Sequence, residues 1–92
     1  MNKKAIKTKE DLRKEINYLA NKIKVTPKQI RIQKMKRKWA SCSTTGWISF
    51  NIDLLKKSRK FQEYAIIHEL LHLTIPNHGK LFKTMMKVYV PD

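Results

Sequence analysis

Cysteine and long apolar runs are scarce in this 92-residue sequence, and each shortage excludes a class of protein. The one cysteine, Cys42, cannot form an intrachain disulfide, which favours a reducing, intracellular setting. The unbroken apolar runs are only a few residues long, whereas a membrane-spanning helix needs about 20. The basic start, residues 1–7, is not followed by the apolar segment of a secretory signal. We therefore expect a cytoplasmic protein that does not cross a membrane.

The length limits the domain organisation. A chain of 92 residues has room for one small domain with one core, and not for a separate binding module. The sequence contains no internal repeat and no low-complexity linker that would mark a boundary. The expected organisation is therefore a single domain over residues 1–92.

Acidic residues are also scarce, and the resulting charge is unevenly placed. The chain has 21 Lys and Arg against 7 Asp and Glu, a formal charge of +14. Residues 61–92 hold three of each sign, so the excess lies in residues 1–60, while all three histidines lie in the neutral part. The basic part would attract nucleic acid, nucleotides, acidic peptides or phospholipid surfaces. A lysine-rich surface that only provides solubility explains the same charge, and both interpretations stay open.

The apolar pattern predicts an α+β fold. Leucines and isoleucines recur at helical spacing near the start of the chain, and short alternating runs follow them. Gly46 marks the turn of a hairpin between two of these runs. The predicted helices cover residues 9–24, 61–74 and 81 to the end, and the predicted strands cover 29–33, 39–42 and 47–51. We expect a small antiparallel sheet between an N-terminal helix and a C-terminal pair of helices.

The chemistry is concentrated in one motif, H-E-x-x-H, formed by His68, Glu69 and His72. On a helix, residues four apart differ by only about 40° in direction, so both imidazoles can reach one metal ion. Glu69 lies beside that pair but is poorly placed to ligate the metal. This is the position of a general base for a water that the metal activates.

A third histidine, His78, extends the motif. On a continuous helix it would point about 120° away from His72 and miss the metal. Pro76 prevents that continuation, because it lacks an N–H and disfavours the helical conformation of the preceding residue. The chain can then turn and bring His78 back. Three histidines with an open fourth position are typical of a catalytic zinc site.

Two alternatives explain the same histidines without catalysis. Histidines on an apolar helix surface can be hydrogen-bonded core side chains. A closed structural zinc site would result if Cys42 supplied a fourth ligand. The sequence leaves the distance between Cys42 and the histidines open.

Four linked segments resemble the YgjP-like metallopeptidase domain, a family similar to the SprT and WLM groups of zincin proteases. These segments are residues 36–43, 46–51, 64–73 and 77–82, within a resemblance that covers residues 29–92. The resemblance implies a minimal zincin with a small twisted sheet, an active-site helix that carries H-E-x-x-H, and a C-terminal backing helix. It also implies one zinc ion per chain, bound by His68, His72 and His78, with Glu69 as catalytic base.

The leading hypothesis is therefore zinc-dependent hydrolysis of a peptide or protein substrate. Glu69 would take a proton from the attacking water and pass it to the leaving amine. The strand over residues 47–51 would pair with an extended substrate if its edge is free. The candidate substrate-binding residues are Trp47, Ser49, Asn51 and Tyr64.

Two other functions fit the same features. The activated water could attack a phosphoanhydride, with the cations of residues 28–38 binding a nucleotide. Alternatively, the protein is a nucleic-acid-binding module with a structural zinc ion, in which residues 1–60 contact phosphates. A peptidase recruited to nucleic acid by its basic part would combine these properties.

Overall fold

The computed structural model describes residues 4–90 and confirms the predicted α+β class. The elements in chain order are α1 (Lys9–Lys22), β1 (Gln29–Gln33), β2 (Ala40–Cys42), β3 (Trp47–Asn51), a 3₁₀ helix (Ile52–Lys56), α2 (Arg59–Leu71) and α3 (Lys80–Tyr89). The third helix was expected to continue to the end of the chain. It ends at Tyr89, and residues 91–92 lie outside the described part.

Helix α1 begins and ends at residues whose local chemistry explains its length. The Thr8 hydroxyl accepts a hydrogen bond from the Asp11 amide at 3.1 Å, which caps the first turn. The helix stops two residues before the predicted end, because Lys24 adopts a left-handed conformation with φ of 62°. Its buried side carries Leu12, Ile16 and Leu19 of the predicted apolar stripe, and the fourth residue of that stripe, Ile23, is buried at the C-cap.

The sheet is mixed, which corrects the prediction of a purely antiparallel one. Its strand order is β1-β3-β2, with β1 parallel and β2 antiparallel to β3. The hairpin between β2 and β3 is as predicted, but the connection from β1 passes over the position of β3 to reach β2. Alternating residues specify which face of a strand is buried and not which neighbour it takes. Because β3 is central, both of its edges are paired. The free edge on which the predicted pairing of residues 47–51 with a substrate depends is therefore absent from β3, which corrects that prediction.

The core lies between this sheet and the helices. Ile32, Ile48 and Phe50 are buried on the sheet, and α1 and α2 contact both the strands and each other. Helix α3 packs on α2 through the buried side chains of Phe82 and Met86. This arrangement leaves the C-terminal end of α2 beside β2 and α3, where the motif residues lie.

Candidate metal centre

The motif residues lie on the last turns of α2. The Ser58 hydroxyl accepts a hydrogen bond from the Phe61 amide at 3.2 Å, so the helix begins at Arg59, two residues earlier than predicted. It ends after Leu71 in a tightened turn, in which the amide of His72 donates to the Glu69 carbonyl at 3.1 Å. The turn ends the regular helix three residues before the predicted position. His68 and Glu69 thus lie within the helix, and His72 at its cap.

The chain returns to the helix after Pro76. His78 lies outside both helices, one residue before the cap of α3, and is exposed. The structure nevertheless brings it to the other two histidines. Each of His68, His72 and His78 offers a ring nitrogen, and these three nitrogens all lie within 4.8 Å of one another.

One buried aromatic ring supports all three imidazoles. Phe82, only 3% exposed, stacks on His72 with ring centroids 4.7 Å apart. The same ring meets His68 at 5.2 Å and His78 at 4.9 Å in edge-to-face contacts. Phe82 falls within the third helix predicted from the sequence, but its contact with the three histidines was not predicted. In the sequence, this role is indicated only by the position of Phe82 four residues after His78. In the structure, Phe82 lies on the first turn of α3.

Hydrogen bonds fix two of the rings. His72 Nδ1 lies 3.2 Å from the Ile75 carbonyl oxygen, which can only accept, so the hydrogen belongs on Nδ1. His68 Nδ1 lies 3.0 Å from Glu69 Oε2, and an ionised carboxylate likewise accepts. With the hydrogen on Nδ1, the neutral tautomer of each ring presents an Nε2 lone pair, which is the form that ligates a metal.

These donors fit a metal ion such as zinc. Tetrahedral coordination with bonds of about 2.0–2.1 Å places nitrogens about 3.4 Å apart, so small side-chain rotations suffice from the observed separation. Within residues 4–90, the side chains close enough together to share one metal ion are those of the three histidines, and Cys42 is not among them. Burial raises the pKa of the Cys42 thiol, and the negative charge of Glu69 raises it further, which disfavours the thiolate that a metal needs. A tetrahedral metal ion held by these three imidazoles alone would have one coordination position left for water or substrate.

Of the four predicted substrate-binding residues, the structure brings only Tyr64 to the histidines. Its ring lies 5.8 Å from that of His68, and the residue is 48% exposed. Trp47 is also exposed, but its ring lies under the Arg31 guanidinium on the sheet. Ser49 pairs with both neighbouring strands in the middle of β3.

Asn51 lies inside the protein instead of in a substrate cleft. Its Nδ2 donates to the carbonyl oxygens of Met35 at 2.9 Å and Lys38 at 2.8 Å, which uses both amide hydrogens. Its Oδ1 accepts from the Asp53 amide at 2.9 Å. This side chain holds the loop between β1 and β2 and starts the 3₁₀ helix.

A cleft of about 340 Å³ adjoins the group of three histidines at His68. It is lined by Lys38, Trp39, Ala40, Phe61, Tyr64, Ala65, His68 and Glu69. Strand β2 borders it, and the outer edge of β2 has no strand partner within the described residues. The central strand was predicted to bind the substrate, and the positions of Trp39 and Phe61 on this cleft were not predicted. Trp39 nevertheless lies in residues 36–43, one of the segments on which the family resemblance rests.

Residues 3–92 match the sequence pattern of the YgjP-like metallopeptidase domain. The chain belongs to this YgjP-like family. Its members are metallopeptidases, and this YgjP-like domain has a group of three histidines that could hold the metal ion of such an enzyme. The domain is therefore a metal-dependent peptidase that acts on peptides or proteins.

Solved structures agree with this assignment. The metallopeptidase zymogen jannalysin of Methanocaldococcus jannaschii is similar with a TM-score of 0.75 and 26% identity, over 97% of this chain and 80% of that one. The zymogen abylysin of Pyrococcus abyssi shares the fold, with a TM-score of 0.71 and 24% identity over 90% of this chain and 80% of that one. The comparison with curated proteins found no match. The matches give no support to nucleic-acid binding.

Within residues 4–90, no helix combines the length and the apolar character that a bilayer crossing requires.

Proposed function

We propose that this YgjP-like domain is a zinc-dependent peptidase. In this proposal His68, His72 and His78 bind one zinc ion per chain, and Glu69 is the general base. The observation that carries it is the convergence of three imidazole nitrogens within 4.8 Å beside the Glu69 carboxylate, at the wall of a cleft. The proposal treats residues 1–92 as one catalytic domain, and the lone Cys42 is compatible with a cytoplasmic location.

In the proposed reaction, Glu69 transfers a proton from the water that the metal ion activates. When bound, zinc supplies a Lewis acid that activates water and polarises the scissile carbonyl. Glu69 takes a proton from the attacking water and returns it to the leaving amine, so its carboxylate ends the cycle unchanged. The hydrogen bond between Glu69 and His68 holds the carboxylate next to the metal-binding nitrogens.

The substrate lies in the cleft along β2. Main-chain groups on the edge of β2 that has no strand partner among residues 4–90 can bind an extended peptide by strand addition. Tyr64 would contact the same peptide from α2, since it lines the cleft opposite that strand. The aromatic and aliphatic lining suits a peptide side chain better than the triphosphate of a nucleotide, so the structure favours peptide hydrolysis over phosphoanhydride hydrolysis.

Replacement of the base tests the mechanism. We expect Glu69→Gln to keep one zinc per chain and to lower peptide turnover about 10²–10⁴-fold, because the amide cannot accept the proton. Elemental analysis and cleavage of a fluorogenic peptide library measure the two effects separately. Full activity in Glu69→Gln would contradict the mechanism.

Two further variants test the ligand set. His78→Ala should lose zinc, whereas Cys42→Ser should keep it. Loss of zinc in Cys42→Ser would point to a closed structural site instead of an open catalytic one.

A further inference from the structure

The cleft beside the histidines has an aromatic wall. The rings of Trp39 and Phe61 meet edge to face with centroids 5.3 Å apart, and Tyr64 continues the wall towards His68. Trp39 and Tyr64 keep large exposed areas. A cleft of about 340 Å³ is at the small end of ligand sites, which suits one or two peptide side chains. Such a wall favours a large apolar or aromatic side chain over a small one.

A second cleft adjoins the first and is basic. It lies along residues 34–39 and shares Lys38 and Trp39 with the aromatic cleft. The Lys57 ammonium lies 4.8 Å from the centre of the Trp39 ring and adds a positive charge at the boundary. The two clefts therefore form one continuous surface, aromatic next to Glu69 and cationic farther away.

The cations of this surface are available for a partner. Asp53 neutralises Lys34, but the ion pairs among the described residues do not include Lys36, Arg37 or Lys38, and all three are exposed. The loop that carries them is held from inside, because Asn51 donates to the carbonyl oxygens of Met35 and Lys38. A cationic loop with a fixed backbone loses little freedom on binding, which favours selective recognition of an anionic partner.

We infer that this surface selects peptides in which a large apolar residue lies one to three residues from acidic side chains. The inference rests on the proposed peptidase function and names its substrate class. The apolar side chain would occupy the aromatic cleft beside Glu69, and the acidic ones would meet Lys36, Arg37 and Lys38. An extended peptide advances about 3.3–3.6 Å per residue, so a short spacing carries the chain from one cleft to the other.

The experiment compares peptide binding and cleavage separately. Binding is measured by fluorescence anisotropy on zinc-loaded Glu69→Gln, and cleavage on the wild-type enzyme. The labelled peptides share one sequence and differ at two places: phenylalanine or alanine at the apolar position, and a pair of glutamates or lysines beside it. We expect the peptide with phenylalanine and glutamates to bind about 10-fold more tightly than either single replacement.

Charge-matched variants separate the loop from the overall charge of the protein. Lys36→Glu/Arg37→Glu should weaken binding of the acidic peptide about 10-fold, because like charges then meet. The control, Lys9→Glu/Lys22→Glu, changes the net charge equally on α1, where neither residue lines a cleft at the site. Its two changes lie at opposite ends of the helix, so their effects on the helix dipole offset each other. The control should shift the affinity less than about two-fold.

The aromatic wall has its own test. Phe61→Ala should weaken the phenylalanine peptide and leave the affinity of the alanine peptide unchanged, and a thermal melt checks that the variant is folded. Equal weakening of both peptides would overturn the apolar part of the inference. Equal weakening by the loop variant and the α1 control would overturn the acidic part.

The remaining outcomes distinguish the inference from the function. Selective binding without cleavage of any peptide would support the inference and contradict the proposed peptidase mechanism. Cleavage without preference for acidic or apolar residues would support the peptidase mechanism and contradict the inference about the substrate class. Displacement of the acidic peptide by a single-stranded oligonucleotide at lower concentration than by the unlabelled peptide would overturn the inference in favour of nucleic acid.

Discussion

The two halves of helix α2 use polar side chains in opposite ways. In the first half, the buried Gln62 donates to the carbonyl oxygens of Ile6 at 3.0 Å and Leu54 at 2.8 Å and accepts from the Ile6 amide at 2.8 Å. In the second half and at the C-cap that follows it, His68 and His72 make hydrogen bonds through Nδ1 alone within the described part of the chain. The first half is thus hydrogen-bonded to other segments of the protein, whereas the second half leaves the Nε2 atoms of two histidines available for a ligand.

The difference separates stability from chemistry within one helix. A buried polar group whose hydrogen bonds are all made contributes a fixed packing arrangement. A ring that is oriented through one nitrogen and available through the other is prepared to bind a metal. Variants of the first half should therefore alter unfolding and not metal binding, and variants of the second half should do the reverse.

Removal of the metal should produce the largest effect. We expect chelation to abolish peptide cleavage and to leave the far-ultraviolet circular dichroism of the protein unchanged. The reason is that the core of helices and sheet packs without the three histidines, which lie at its margin. Re-addition of zinc, which should restore cleavage, is the control. Loss of helical signal on chelation would contradict the division between the two halves of α2, since metal binding by the second half would then also stabilise the fold.

Gln62→Ala should be the most damaging change in the first half. It leaves two carbonyl groups and one amide without their partner in a buried position, at a cost of about 2–4 kcal/mol in the free energy of unfolding. Urea titration measures that cost. Zinc stoichiometry of the folded variant should stay unchanged, and a loss of zinc would show that the two halves are coupled.

The sequence predicted these elements unequally well. Periodicity gave helix α1 and the H-E-x-x-H helix, because their apolar residues repeat over several turns. The sheet order could not be predicted, since the alternation in residues 29–33 carries no information about the neighbour of a strand or its direction. Gln62 was not recognised either, because its partners, such as Ile6, are distant in the sequence.

The candidate site shows the same limit. The spacing of His68 and His72 and the break at Pro76 follow from local backbone rules, and the structure places His78 where these rules allow it. Residues that meet only through tertiary packing were missed. The contact between Trp39 and Phe61 joins the end of a loop to the first turn of α2, and no local pattern specifies it.

Phe82→Leu tests how far zinc binding by the histidines depends on the ring that packs against them. Leucine keeps most of the buried volume, so the stability loss should stay below about 1.5 kcal/mol. The flat ring that stacks on His72 and touches the other two imidazoles is lost, and zinc affinity should fall about 10–100-fold. Competition with a fluorescent zinc chelator measures this affinity. Met86→Leu, a second buried change on α3, is the matched control and should leave zinc affinity intact.

The smallest effect should come from an ion pair outside α2. The hydrogen bond from Lys34 lowers the pKa of the Asp53 carboxyl, and the positive charges of Lys34 and Lys56 add to that effect. A carboxyl with a lowered pKa stabilises the fold at pH values above its unfolded pKa of about 3.9, and this stabilisation is lost as the pH falls through the folded value.

Asp53→Asn should therefore lower the unfolding midpoint slightly at pH 7 and converge with the wild type in acid. Thermal melts from pH 2 to 7 measure the difference, which we expect to be several-fold smaller than that of Gln62→Ala because the pair is open to solvent. Zinc binding should stay unchanged across the neutral range. If the difference in unfolding midpoint between the two proteins instead grew as the pH fell, the direction of the Asp53 pKa shift would be contradicted. Lys34 could then no longer be counted as neutralised by Asp53.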